Sequence, residues 1–166
     1  MTQAARANSS PSSSRDAIAA AKARHDASPL RVESEKRAGI LDLELQAAIQ
    51  SADNHRDQAV ALLRRATALE DKLAYAFGPP MVDKPSHELL GEELLALHRG
   101  PEARTEFQRA LKTMPRRPLA LRGLALADEA SGDAHGASAT WRDLASIWHL
   151  ADPTWPGLEV ARQKAH

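Results

Sequence analysis

The chain has 166 residues, with 22 Lys plus Arg against 22 Asp plus Glu and no cysteine. That length can build one domain with a substantial core, and the balanced charge offers no global field to attract nucleic acid or an anionic membrane surface. The missing cysteine excludes disulfides, thiolate zinc sites and a cysteine nucleophile. Aromatic residues are 4% while alanine and leucine abound, which predicts an all-α fold of helices packed closely through small side chains.

Residues 1–14, MTQAARANSSPSSS, offer almost nothing large and apolar to bury, so a disordered tail is expected. An Ala-rich helix is predicted over 15–25, stopping around Asp26, Ser28 and Pro29. A second helix is predicted over 33–52, with Ile40, Leu41, Leu43, Leu45, Ala47, Ala48 and Ile49 on its apolar side. The third, over 56–75, carries Ala59, Leu62, Leu63, Ala66 and Leu69 at steps of three and four, and pairs with the second as a hairpin. In FGPPMVDKPSHELLG, Gly78, Pro79, Pro80 and Pro85 forbid continuous helix, and Asp83 or Ser86 can cap the next one.

Helices are then predicted over 86–97, 101–114, 119–130 and 134–150. Pro101 sits in a first turn, Pro115 and Pro118 act as breaks, and Ser131-Gly132-Asp133 forms a turn. A last short helix is expected from Gly157. No apolar run approaches the roughly 18 residues of a membrane span, and the N-terminus has no secretory h-region. A soluble chain without membrane insertion is therefore expected, with the cytoplasm favoured.

The most informative pattern is self-similarity at a period of 34: Leu90 with Leu124, Gly91 with Ala125, Ala103 with Ala137 and Phe107 with Trp141. Small matches small and large matches large, which identifies a stack of hairpins that bury their faces against one another. Residue by residue, 85–115 resembles one tetratricopeptide repeat through Leu90-Gly91, Ala103, Phe107, Ala110 and Pro115. The next stretch resembles it through Leu124, Ala125, Gly132-Asp133, Ala137 and Trp141, with Leu144 and His149 departing from the pattern. An earlier hairpin fits through Ala47, Ala59, Leu63 and Ala66, displaced by ten residues that the Gly-Pro-Pro segment accounts for. The Pro-Pro insertion before Pro-Ser-His-Glu-Leu-Leu-Gly is similar to one in bacterial tetratricopeptide proteins.

The resemblance implies a right-handed α-solenoid over 33–166, with about three repeats and a short C-terminal cap. Residues 15–32 are expected to be a partial N-terminal repeat lacking its first helix. The resemblance further implies a scaffold that binds a protein or peptide segment rather than an enzyme, with no cofactor. In this family the first helices line the concave face, which places Glu88, Glu92, Leu95 and Ala96 beside Arg122, Leu126 and Glu129. Such a groove suits a peptide with a basic or mixed-charge segment, the alternative being a solvated helix face.

His87, beside the proline-rich segment, could serve as a base or ligand, although its place in the repeat is that of a large residue packed between helices. His25, His55, His87, His98, His135 and His149 have no spacing that gathers three metal ligands on one helix face. Gly-rich phosphate loops and Gly-x-Ser-x-Gly elbows are absent, so no catalytic, cofactor or metal residue is assigned. Trp141, Trp148 and Trp155 are expected to pack the terminal repeat beneath its cap, and Tyr75 and Phe77 to fasten the insertion. Self-association into a homodimer, through the uncovered end of the stack or the long last hairpin, is a further expectation.

Overall fold

A computed structural model describes residues 14–26, 29–73, 84–152 and 154–165. Among them the helices are α1 (Ser14–Asp26), α2 (Pro29–Ala52), α3 (Arg56–Glu70), α4 (Ser86–Ala96), α5 (Gly100–Thr113), α6 (Pro118–Ala130), α7 (Ala134–Ile147) and α8 (Pro156–Lys164), with a 3₁₀ turn at Trp148–Leu150. The described residues contain no strand. The expected tail up to residue 13, together with Tyr75, Phe77, Gly78, Pro79, Pro80 and Asp83, lies outside them.

Two units divide the chain within α2, Met1–Ala38 and Gly39–His166. In the first, every residue whose exposure is described is exposed or half-buried. Arg31 pairs there with Asp26 and, at 2.8 Å, with Glu35.

The second unit is an α-solenoid of antiparallel hairpins, in which α3 packs on α4, α4 on α5, α5 on α6, α6 on α7 and α7 on α8. Its residues in α2 meet α3 through Ile40, Leu43 and Ala66. A second cluster runs from Ala47 through Ala59, Val60, Leu63, Leu90, Leu94, Phe107 and Ala110 to Ala120 and Ala127. A third joins Leu121 and Ala125 to Ala137, Trp141, Leu144 and Ala161. Helix α6 therefore serves both neighbours: Ala120 and Ala127 face back toward Phe107, while Leu121 and Ala125 face forward to Trp141.

The 34-residue period is a packing rule. A Cβ added at Gly91 would stand 2.8 Å from the Phe107 ring, and one at Gly123 would stand 2.2 Å from it. The ring is thus held between a glycine of its own hairpin and a glycine of the next. One period later Trp141 shares a buried cluster with Ala125, whereas Gly157, the counterpart of Gly123, lies against Trp148 and Trp155. The period also extends further than the sequence reading took it, since Gly123, Leu124 and Ala127 recur as Gly157, Leu158 and Ala161 in α8. Leu158 and Ala161 are both buried, so the terminal cap is a further first helix in register.

The hairpin turns repeat too. Asn54, His98 and Gly132 take left-handed φ values of 63°, 58° and 79°. The next residue in each turn donates its N–H to the carbonyl five residues back: His55 to Gln50 at 2.7 Å, Arg99 to Leu94 at 2.8 Å and Asp133 to Asp128 at 2.9 Å. This is the Schellman closure, which satisfies carbonyls that the helix end leaves open.

Several boundaries differ from the sequence expectation. Pro29 and Pro118, expected to break helix, are the first residues of α2 and α6. A first-turn proline gives up no helical hydrogen bond, and its fixed φ suits the helix. Helix α3 ends at Glu70 rather than 75, and α7 tightens into a 3₁₀ turn after Ile147.

Candidate interaction face and the buried node at α4

Pro85 stands at the N-cap of α4 with φ −58° and ψ 139° and provides no side-chain cap. The acceptor comes from another element: Glu70, the last residue of α3, receives the Ser86 N–H on Oε2 at 2.8 Å. Ser86, expected as a cap, is instead the first helical residue, and its hydroxyl donates to Glu44 Oε1 of α2 at 2.6 Å. Two carboxylates thus meet the positive end of the α4 dipole, where negative charge is favoured.

His87 follows, 4% exposed. Its Nδ1 lies 2.6 Å from Glu106 Oε2 of α5 and its Nε2 lies 3.0 Å from Asp71 Oδ1, just past α3. Burial disfavours the imidazolium, but the hydrogen bonds and charges of Glu106 and Asp71 outweigh it, so the pKa lies above the ordinary 6.5. A cavity of about 550 Å³ opens beside the ring, lined by Asp71, His87, Arg109, Lys112 and Thr113.

Glu88 completes the node and is 0% exposed. Arg117 Nε, in the turn before α6, donates to its Oε2 at 2.5 Å, and Lys84 Nζ is 3.8 Å from Oε1. Ser86, His87 and Glu88 therefore tie α4 to α2, to both ends of the α3 to α5 path, and to the turn ahead of α6. His87 packs between helices as its place in the repeat indicated, and in this arrangement both ring nitrogens face carboxylates.

The residues expected to line a groove are placed differently from one another. Helices α4 and α6 pack directly against each other. Glu92, Arg122 and Glu129 are exposed, and Leu95 and Leu126 are half-buried. Glu88 departs from that set: its carboxylate lies inside the packing, held by Arg117, because the guanidinium reaches it from the following turn. Glu92 is paired with Lys84, and Glu129 accepts from Lys164 at 2.7 Å and from the indole N–H of Trp141 at 2.7 Å. Arg122 forms no ion pair with another described residue.

Sequence reasoning missed Gly123, Glu70 and Arg117. Gly123 was legible only through its partner Gly157 one period on. The roles of Glu70 and Arg117 depend on contacts between helices that no spacing along the chain reveals. Of the tryptophans, Trp141 is buried beneath α8 while Trp148 and Trp155 meet edge to face at 6.5 Å, with Trp155 exposed.

No protein-family model matches the chain, and no curated protein matches it. Among solved structures it is similar to a TPR-like protein from Chlorobium tepidum TLS. The two share 20% identity over 80% of this chain and 96% of that one, with a TM-score of 0.56. At that identity the likeness is one of fold, and it accords with the repeat register in the core: the chain has a TPR-like architecture of stacked helical hairpins.

Proposed function

We propose that this chain is a binding scaffold that holds a segment of another protein across the face shared by α4 and α6. Glu92, Leu95, Arg122, Leu126 and Glu129 make the contacts, and the buried Glu88 fixes the spacing of the two helices from beneath. The observation that carries the reading is the combination of half-buried leucines with one exposed arginine that has no ion-pair partner among the described residues. Lys84 and Lys164 already neutralise Glu92 and Glu129. The segment accordingly presents an acidic group to Arg122 and aliphatic side chains to Leu95 and Leu126, so that charge sets register and apolar contact supplies affinity. Support also comes from the TPR-like fold, whose members generally serve as interaction scaffolds. The test is affinity capture from cell extract with the wild type and with a Glu92→Lys/Arg122→Glu variant of unchanged helicity, followed by titration of the captured protein's purified segment. Retention by wild type alone supports the face, and equal retention by both removes it.

A second reading is favoured by α2, where Leu41, Leu45 and Ile49 are exposed at steps of four, Leu45 by 62%. An apolar stripe of that kind suits self-association. Sedimentation of wild type against Leu45→Glu decides it: a concentration-dependent mass that the variant abolishes supports a dimer, and an unchanging monomer mass removes it.

A further inference from the structure

His87 is buried, whereas His55, His98, His135 and His149 are exposed, and the proposed function makes no use of it. A neutral imidazole carries one N–H, so it can donate to one carboxylate while its other nitrogen offers a lone pair. Both of its neighbours here are carboxylates, at 2.6 Å and 3.0 Å. Only the imidazolium satisfies both contacts at once. The two neighbours are unequal: the Glu106 side chain is 12% exposed and the Asp71 side chain 62%. Losing the proton from His87 therefore costs least on the Asp71 side, where water can replace the contact.

We infer that His87 is a pH-sensitive latch that holds the end of α3 to α4 while protonated and releases Asp71 when it loses its proton. The charged groups around it are Glu70 and Asp71 at the end of α3, Glu106, Arg109 and Lys112 on α5, and Glu88 on α4 with Lys84 ahead of it. Arg109 Nη1 lies 3.4 Å from Glu106 Oε1 and so continues to orient that side chain when the histidine is neutral. The Ser86 bonds to Glu44 and Glu70 stay in place in both states. The device therefore loosens one junction between hairpins rather than unfolding the stack.

The sign follows from linkage. The pKa of His87 is raised in the folded chain, so its contribution is fully present below the unfolded value near 6.5 and is lost as pH rises through the folded value. The experiment records urea unfolding midpoints from about pH 6 to about pH 9 for wild type, His87→Gln and Asp71→Asn. It also follows the His87 imidazole by NMR. Asp128, whose pKa burial raises, contributes equally to all three proteins and cancels in the comparison. Wild type is expected to lose stability across the range and His87→Gln to stay flatter. Asp71→Asn, at an exposed position that does not threaten folding, is expected to titrate His87 at lower pH than wild type. Parallel profiles for all three, or an NMR titration of His87 that ignores Asp71→Asn, overturn the latch.

Discussion

At the scale of single residues, the pair Glu88–Arg117 carries the largest local risk. A carboxylate at 0% exposure survives because the guanidinium lies against it, and removing Arg117 leaves that buried charge opposed only by Lys84, 3.8 Å from Oε1. Arg117→Ala is expected to cost about 3 to 5 kcal/mol, measured by urea unfolding. The double variant Glu88→Leu/Arg117→Met removes both charges and is expected to recover most of that loss. The turn residue His98 is a milder case. Its φ of 58° places Cβ close to its own backbone, a strain of about 1 to 2 kcal/mol that Gly132 avoids one period later. His98→Gly is expected to gain up to about 1 kcal/mol after the added freedom of the unfolded chain is counted, read as a rise in thermal midpoint.

At the scale of elements, the register of the stack depends on what each helix presents to the Phe107 ring. Gly123→Ala brings a methyl to 2.2 Å and Gly91→Ala to 2.8 Å. Both gain helix propensity, yet the closer clash is expected to dominate at Gly123, with a loss of about 1 to 3 kcal/mol. Gly91→Ala should lose less, and Phe107→Leu should relieve part of the Gly123→Ala defect. Denaturation of the two single variants and the double variant checks the order. The helices themselves were legible because Leu, Ala and the aromatics recur at fixed spacing, and each observed helix of the second unit overlaps its expected span. The start of α2 was misplaced because a proline reads as a stop, although Pro29 occupies the first turn of the helix. The last hairpin was read as a helix with a cap, although Gly157, Leu158 and Ala161 repeat Gly123, Leu124 and Ala127. The node at α4 was not legible, since Glu44, Glu70, Asp71, Glu106 and Arg117 come from four separate stretches and converge only through helix packing.

At the scale of the whole molecule, the second unit stacks first helices α4 and α6 side by side, so outward residues of successive repeats form one surface. The groups that hold the stack and those proposed to bind a partner lie on the same helices and are separable by burial: Glu88 and His87 inside, Glu92 and Arg122 outside. Changes at Glu92 and Arg122 are therefore expected to leave stability within about 0.5 kcal/mol while weakening binding, whereas Arg117→Ala acts mainly on stability. The most direct measurement is an NMR titration of the labelled chain with the purified segment of its captured partner, following backbone amide shifts. The largest shifts are expected along α4 and α6 near Glu92, Leu95, Arg122 and Leu126, and are expected to vanish in Glu92→Lys/Arg122→Glu. Shifts confined to α2 around Leu41, Leu45 and Ile49, or to the cavity beside His87, with α4 and α6 otherwise silent, would contradict the proposed face.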